Sequence, residues 1–217
     1  MQKIVLTTLL FFTLIHSAAA QPARKEGFKT VTIGNQTWMS ENLNVRTFRN
    51  GDTIQEIRSA EAWIQAYNAK KPAWCYYAFQ VENGKKYGKL YNWYAVHDKR
   101  GLAPEGWQIS TSDDWAELAR FAGTEENAAK QLRSRSGWKR DGNGTDRVGF
   151  NGQPGGSVNA YGMFGDIGFW GSWWCYTDAD TKLVTGKYLK FDSDRIEDYA
   201  SYLKTDGLSV RCLRKNQ

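Results

Sequence analysis

The chain has 217 residues, 41% of them hydrophobic and 14% aromatic, a length that suits one domain with a sizeable core. Its formal net charge of +6 is scattered in short clusters among glycines and aromatics, which argues for a solvated surface, with weak attraction to polyanions as the alternative; the export-signal layout of residues 1–20 argues against nucleic acid as the partner. Of the two histidines only His97 lies outside the first twenty residues, which excludes a multi-histidine zinc site, and three cysteines allow one disulfide with a thiol left over.

Residues 1–20 have the layout of an export signal: Lys3, an apolar run from Ile4 to Ile15, and the small residues Ala18, Ala19 and Ala20 before Gln21. The run is shorter than the roughly 20 residues of a spanning helix, and no cysteine follows it to take a lipid anchor. The expected protein is exported and released to the periplasm, cell surface or medium, with a linker over 21–27 and one domain over 28–217. No transmembrane segment is expected in the mature chain.

From Phe28, the apolar residues Val31 and Ile33 alternate with Thr and Lys. Gly34-Asn35 and a second β-rich run through Trp38 then predict a hairpin with Trp38 inside. Asn50-Gly51-Asp52 marks a turn. Ser59 caps a short helix with Trp63, Ala66 and Tyr67 on one face, ended by Pro72. Trp74 to Tyr77 and Phe79 predict an extended, buried segment before a turn at Asn83-Gly84.

The densest stretch runs from Tyr87 to Ala122. Leu90, Trp93, Tyr94 and His97 have helical spacing, which predicts a helix over about 88–97. Pro104, Glu105 and Gly106 turn the chain. Thr111 or Ser112 caps a helix over 112–122 whose stripe of Trp115, Leu118, Ala119 and Ala122 ends at Gly123. A further helix capped by Thr124 is predicted over 125–133. Gly, Asn and Asp then crowd the chain from Asp141 to Gly171, with a type II turn at Pro154-Gly155. The remaining strand candidates are 170–177, 187–192 and 208–213.

The words IGNQTWMSENLNV (33–45), WCYY (74–77), YGKLYNWYAV (87–96), PEGWQISTSDDWAEL (104–118), GFNGQPGG (149–156) and LSVRCLRK (208–215) occur in an order that resembles the Fibrobacter succinogenes major paralogous domain family. The resemblance implies an α+β, C-type-lectin-like fold, related to sulfatase-modifying factors, with two main helices flanking small antiparallel sheets and a long Gly-rich loop region. It implies no assigned activity. It also points to Cys75 and Cys212 as the disulfide pair, with Cys175–Cys212 as the alternative. The close cysteine pair of the formylglycine-generating relatives is absent, and no other catalytic residues stand out.

Trp170, Trp173, Trp174 and Tyr176 are the candidate ligand-binding aromatics, with Asp178 and Asp180 nearby to accept hydroxyl hydrogen bonds. Strand alternation puts Trp174 and Tyr176 on one face and Trp173 and Cys175 on the other, so the group is either packed inside or forms a sugar platform. Arg133, Arg135, Lys139 and Arg140 around Trp138 form the densest basic patch, read as a solvated face or a contact for acidic glycans. Oxygen side chains alternate over 141–146 as in a calcium loop, but the closing Glu is missing, so no metal or other cofactor is expected. The leading expectation is a non-catalytic domain that binds glycan or protein at the bacterial envelope. The alternatives are an extracellular enzyme acting on polysaccharide or protein, and a structural scaffold.

Overall fold

The computed structural model describes residues 27–124, 126–177 and 183–215. The expected export segment, most of the linker, and Asp178 and Asp180 lie outside the described residues. The architecture is mixed α+β, with few helices and several small sheets.

Strands β1 (Thr30–Ile33) and β2 (Gln36–Met39) form the expected hairpin around Gly34, whose φ of 57° is one that side chains resist. Trp38 is fully buried and donates its indole N–H to Gln36 Oε1 at 2.9 Å. The short β3 (Gln55–Glu56) precedes α1 (Ala60–Asn68), where Ser59 Oγ accepts the Ala62 amide at 3.2 Å as the expected cap. Trp63 and Ala66 are buried in this helix, but Tyr67 is exposed.

After β4 (Ala73–Cys75) the structure departs from the extended reading. Tyr77–Phe79 is a turn of 3-10 helix, and Asn83-Gly84 falls inside α2 (Val81–Tyr87) rather than in a turn. Gly84 is there for packing: a Cβ on it would lie 2.1 Å from the Tyr76 ring. The helix expected over 88–97 is also corrected, to the strand β5 (Leu90–Asn92) followed by the single turn α3 (Trp93–Val96). Leu90, Tyr91 and Asn92 are all buried, so their helical spacing reports burial on every side rather than one helix face. Asn92 Oδ1 accepts from the amides of both Ala73 and Ala95, joining β4 to the start of α3.

Strand β6 (Gln108–Ile109) leads into α4 (Ser112–Ala122), which forms as expected. Thr111 Oγ1 accepts the Asp114 amide at 3.2 Å, and Asp114 Oδ2 accepts the Thr111 amide at 2.9 Å, a capping box of the order of 1 kcal/mol. Trp115, Leu118 and Ala122 bury its stripe against Trp38, Phe150, Trp173 and Leu213. The next helix, α5 (Ala128–Leu132), is shorter than the expected 125–133. At the turn expected over Pro154-Gly155 the positive φ falls on Gly156, at 65°, and not on Gly155. A Cβ on Gly156 would come within 2.3 Å of Gly165 O.

The rest is β7 (Ser157–Val158), β8 (Phe164–Gly165), β9 (Trp170–Trp174), β10 (Leu183–Lys190), β11 (Glu197–Leu203), β12 (Gly207–Leu208) and β13 (Cys212–Lys215). The sheet orders are β1-β2-β13-β6, β11-β10-β9 and β3-β4-β5-β12-β7-β8, antiparallel throughout except for β3 with β4. The candidate strand over 208–213 is thus divided between two sheets. Its expected polar face, Ser209 and Arg211, is as buried as Leu208, Val210 and Cys212.

Candidate functional site

The aromatic residues singled out from the sequence do not stay together. Trp173 and Trp174 alternate across β9 as predicted, but both sides of the strand are covered and both rings are 0% exposed. Trp173 packs 5.5 Å from Trp115, centroid to centroid, and Trp174 lies 5.5 Å from Trp93 while donating to Tyr91 O at 2.7 Å. Neither ring offers a surface on which a sugar can stack. Tyr176 is half-buried and stacks on His97 at 5.5 Å, and His97 in turn stacks on Trp93.

Trp170 alone of the four reaches solvent on a prepared surface. Its backbone is fixed at both poles: its amide donates to Asp166 O at 2.8 Å, and its carbonyl accepts the Gly156 amide at 2.9 Å. Asp166 holds a φ of 68° to make that turn. The register pairs Trp170 with Lys190 and Ser172 with Tyr188, then Tyr188 with Glu197 and Gly186 with Tyr199. A bulge in β11 between Tyr199 and Tyr202 keeps both tyrosines on the same face as Trp170 and Tyr188. The outer end of this face carries a parallel stack, with the Trp170 and Tyr188 rings 5.1 Å apart and 13° from coplanar. Tyr199, 45% exposed, leans edge-on against Tyr202 at 4.6 Å.

Polar groups frame the stack. Tyr188 donates its hydroxyl to Glu197 Oε2 at 2.7 Å, and Lys190 Nζ lies 5.7 Å from the Trp170 ring centre. Partial burial raises the Glu197 carboxyl, but the Tyr188 and Ser193 hydroxyls and Lys190 together hold it below its ordinary value. Burial, reinforced by the bond to Glu197, pushes the Tyr188 phenol upward. The pair therefore stands as phenol donor and carboxylate acceptor at neutral pH. Burial raises the Asp166 carboxyl.

Of the basic patch, Arg135, Lys139 and Arg140 are exposed as a solvated face requires, and Arg133 is not. Arg133 is buried and donates to Lys190 O at 2.6 Å, to Ser193 O, and to Asp194 Oδ1 at 2.8 Å, fastening the β10–β11 turn that presents Glu197. Trp138 is buried with its indole N–H on Ser134 Oγ, and Arg140 lies 5.6 Å from the Phe169 and Phe191 rings. The calcium-like loop likewise spends its oxygens on amides, Asn143 Oδ1 accepting from Trp138 and Asp146 Oδ1 from Asn151. Among the described residues no three His, Cys, Asp or Glu side chains gather to hold a metal.

The expected Cys75–Cys212 disulfide is not formed, and all three cysteines are free, buried thiols. Cys75 faces the cluster of Ile57, Trp63 and Leu90, whereas Cys212 lies in the cluster around Tyr91 and Val210. Burial pushes the Cys175 and Cys212 thiols up to about 12 and raises Cys75 as well, so none is a ready nucleophile.

A second polar centre joins half-buried Asn42 to the buried Arg211. Asn42 Oδ1 accepts from Trp173 Nε1 at 2.8 Å and from Arg211 Nε and Nη2 at 3.1 and 2.8 Å, while its Nδ2 donates to Tyr87 O and Ser209 Oγ. Arg211 is 0% exposed, donates also to Met39 O and Phe150 O, and stacks 4.3 Å from the Phe150 ring. Burial lowers its guanidinium to about 9. Buried Lys89 bonds the carbonyl and side chain of Asn44 and lies 4.3 Å from the Trp74 ring. A groove of about 190 Å³ beside this centre is lined by Phe28, Met39, Glu41, Asn42 and Asn44.

Tyr188, Tyr199 and Glu197 are the residues that sequence reasoning missed. The available signal was the even spacing of Gly186, Tyr188 and Lys190, which puts them on one strand face. The family model described as the Fibrobacter succinogenes major domain matches residues 31–214. No curated protein and no solved structure matches the chain.

Proposed function

We propose that this chain, which belongs to the Fibrobacter succinogenes major domain family, is a non-catalytic glycan-binding domain exported to the bacterial envelope. The observation that carries the reading is the half-exposed Trp170–Tyr188 stack, flanked on one sheet face by Glu197 and Lys190. A pyranose ring has an apolar C–H face and an equatorial rim of hydroxyls. The aromatic rings take the first, while a carboxylate that accepts and an ammonium that donates take the second. The export-signal layout of residues 1–20 supports the compartment. The small antiparallel sheets with α4 packed behind them are compatible with a C-type-lectin-like architecture.

The test is a glycan and polysaccharide panel probed with the purified protein, with Trp170→Ala and Tyr188→Ala in parallel. Saturable binding that both variants lose while keeping their circular dichroism spectra is the expected result. Absence of saturable binding across the panel would sink the glycan reading and direct the search to protein partners. Turnover of a polysaccharide, abolished by Glu197→Gln, would overturn the non-catalytic part.

A further inference from the structure

The aromatic face belongs to a chain of formal charge +6, yet its border is acidic. The turn from β10 into β11 and the first two residues of β11 hold Asp192, Asp194, Glu197 and Asp198, with Arg195 the one cation among them. Asp194 pairs with Arg133 at the end of α5, Asp198 pairs with Lys187 at 2.5 Å on the opposite face of the sheet, and Asp192 lies 3.7 Å from Lys190, which also acts on Glu197. On the aromatic face Lys190 is thus the lysine shared between two carboxylates, Asp192 and Glu197. Glu197, fixed by Tyr188, presents its negative charge beside the ring stack.

Resting on the platform reading above, we infer that the ligand class is an uncharged hexopyranose polymer, and that the acidic rim rejects uronate and sulfated sugars. A neutral ring on Trp170 gives a hydroxyl hydrogen to Glu197 and offers a hydroxyl oxygen to Lys190. An acidic sugar in the same place sets its carboxylate or sulfate against Glu197 well within one Debye length, about 8 Å at physiological salt. Placing like charge opposite like charge is how a site discriminates between ligands of the same shape. A chain with a general excess of positive charge would otherwise collect polyanions.

Affinity electrophoresis of the full chain in native gels containing a neutral β-glucan, a neutral mannan, polygalacturonate or dextran sulfate tests this. Retardation by at least one neutral polymer is expected, weakened at least tenfold by Trp170→Ala. Trp170-dependent retardation by the two acidic polymers should be at least tenfold weaker than by the neutral one. Glu197→Gln, nearly isosteric and half-exposed, should narrow that ratio at least threefold. Acidic polymers bound through Trp170 as tightly as neutral ones, or a ratio untouched by Glu197→Gln, would overturn the charge inference alone. Retardation by no polymer, or none that depends on Trp170, would instead bring down the platform reading on which it rests.

Discussion

The Asn42–Arg211 centre and the Trp170–Tyr188 face use the same vocabulary of indole rings, cations and hydrogen-bonding side chains, to opposite ends. Around Asn42 each nitrogen of the guanidinium has a fixed acceptor, and the flanking Trp173 ring is sealed. Buried polar networks of this kind specify a unique packing when they are fully satisfied. On the face of β9, β10 and β11 the rings are only half covered, and the framing groups keep capacity for a ligand. Aromatic density, then, marks where this fold is built. Aromatic exposure beside an oriented carboxylate marks where it can act.

Four substitutions or treatments separate the two regions. Arg211→Ala carries the largest expected effect. It leaves Met39 O and Phe150 O without their donor and opens a cavity, so urea denaturation should show a loss of about 3 to 5 kcal/mol. Glycan affinity per folded molecule should be unchanged. Trp170→Ala reverses the weighting: a stability loss of about 1 to 2 kcal/mol, with binding down at least tenfold by titration.

Tyr188→Phe removes only the hydroxyl, at a cost of about 0.5 to 1 kcal/mol at pH 7. Because the folded Glu197 carboxyl sits below its ordinary value, its contribution is present above the unfolded value and is lost as pH falls through the folded one. The difference between wild type and Tyr188→Phe should therefore be full at neutral pH and vanish in acid below the ordinary glutamate range. Dithiothreitol carries the smallest expectation, no shift of the melting midpoint, since Cys75, Cys175 and Cys212 are free. Ellman's reagent should find those thiols only after unfolding.

The sequence disclosed those elements whose signals are local. The Gly34 hairpin and the Thr111 capping box are decided within a few residues, and both formed where expected. Burial on every side defeated periodicity: Leu90, Trp93, Tyr94 and His97 have a helix's spacing, yet the chain there is strand and a single turn. Ser209 and Arg211 read as a solvent face because nothing local tells that Asn42, far away in the chain, waits for them. Trp173 and Trp174 failed as a platform for the same reason, each being claimed by a different cluster. Trp170 survived as a candidate, but its partners Tyr188 and Glu197 come from strands whose pairing no single stretch encodes.

The position of β13 has a consequence for how the molecule is made. Leu213 pairs with Trp38 on one side and with Gln108 on the other, so the last strand among the described residues occupies the middle of its sheet. During synthesis the hairpin and β6 emerge long before the strand that joins them, and wait as separate edges. Such long-range closure slows folding and prolongs the exposure of unpaired edges. A nascent chain arrested before Cys212 cannot complete this sheet, so commitment to the native state waits until β13 has been synthesised.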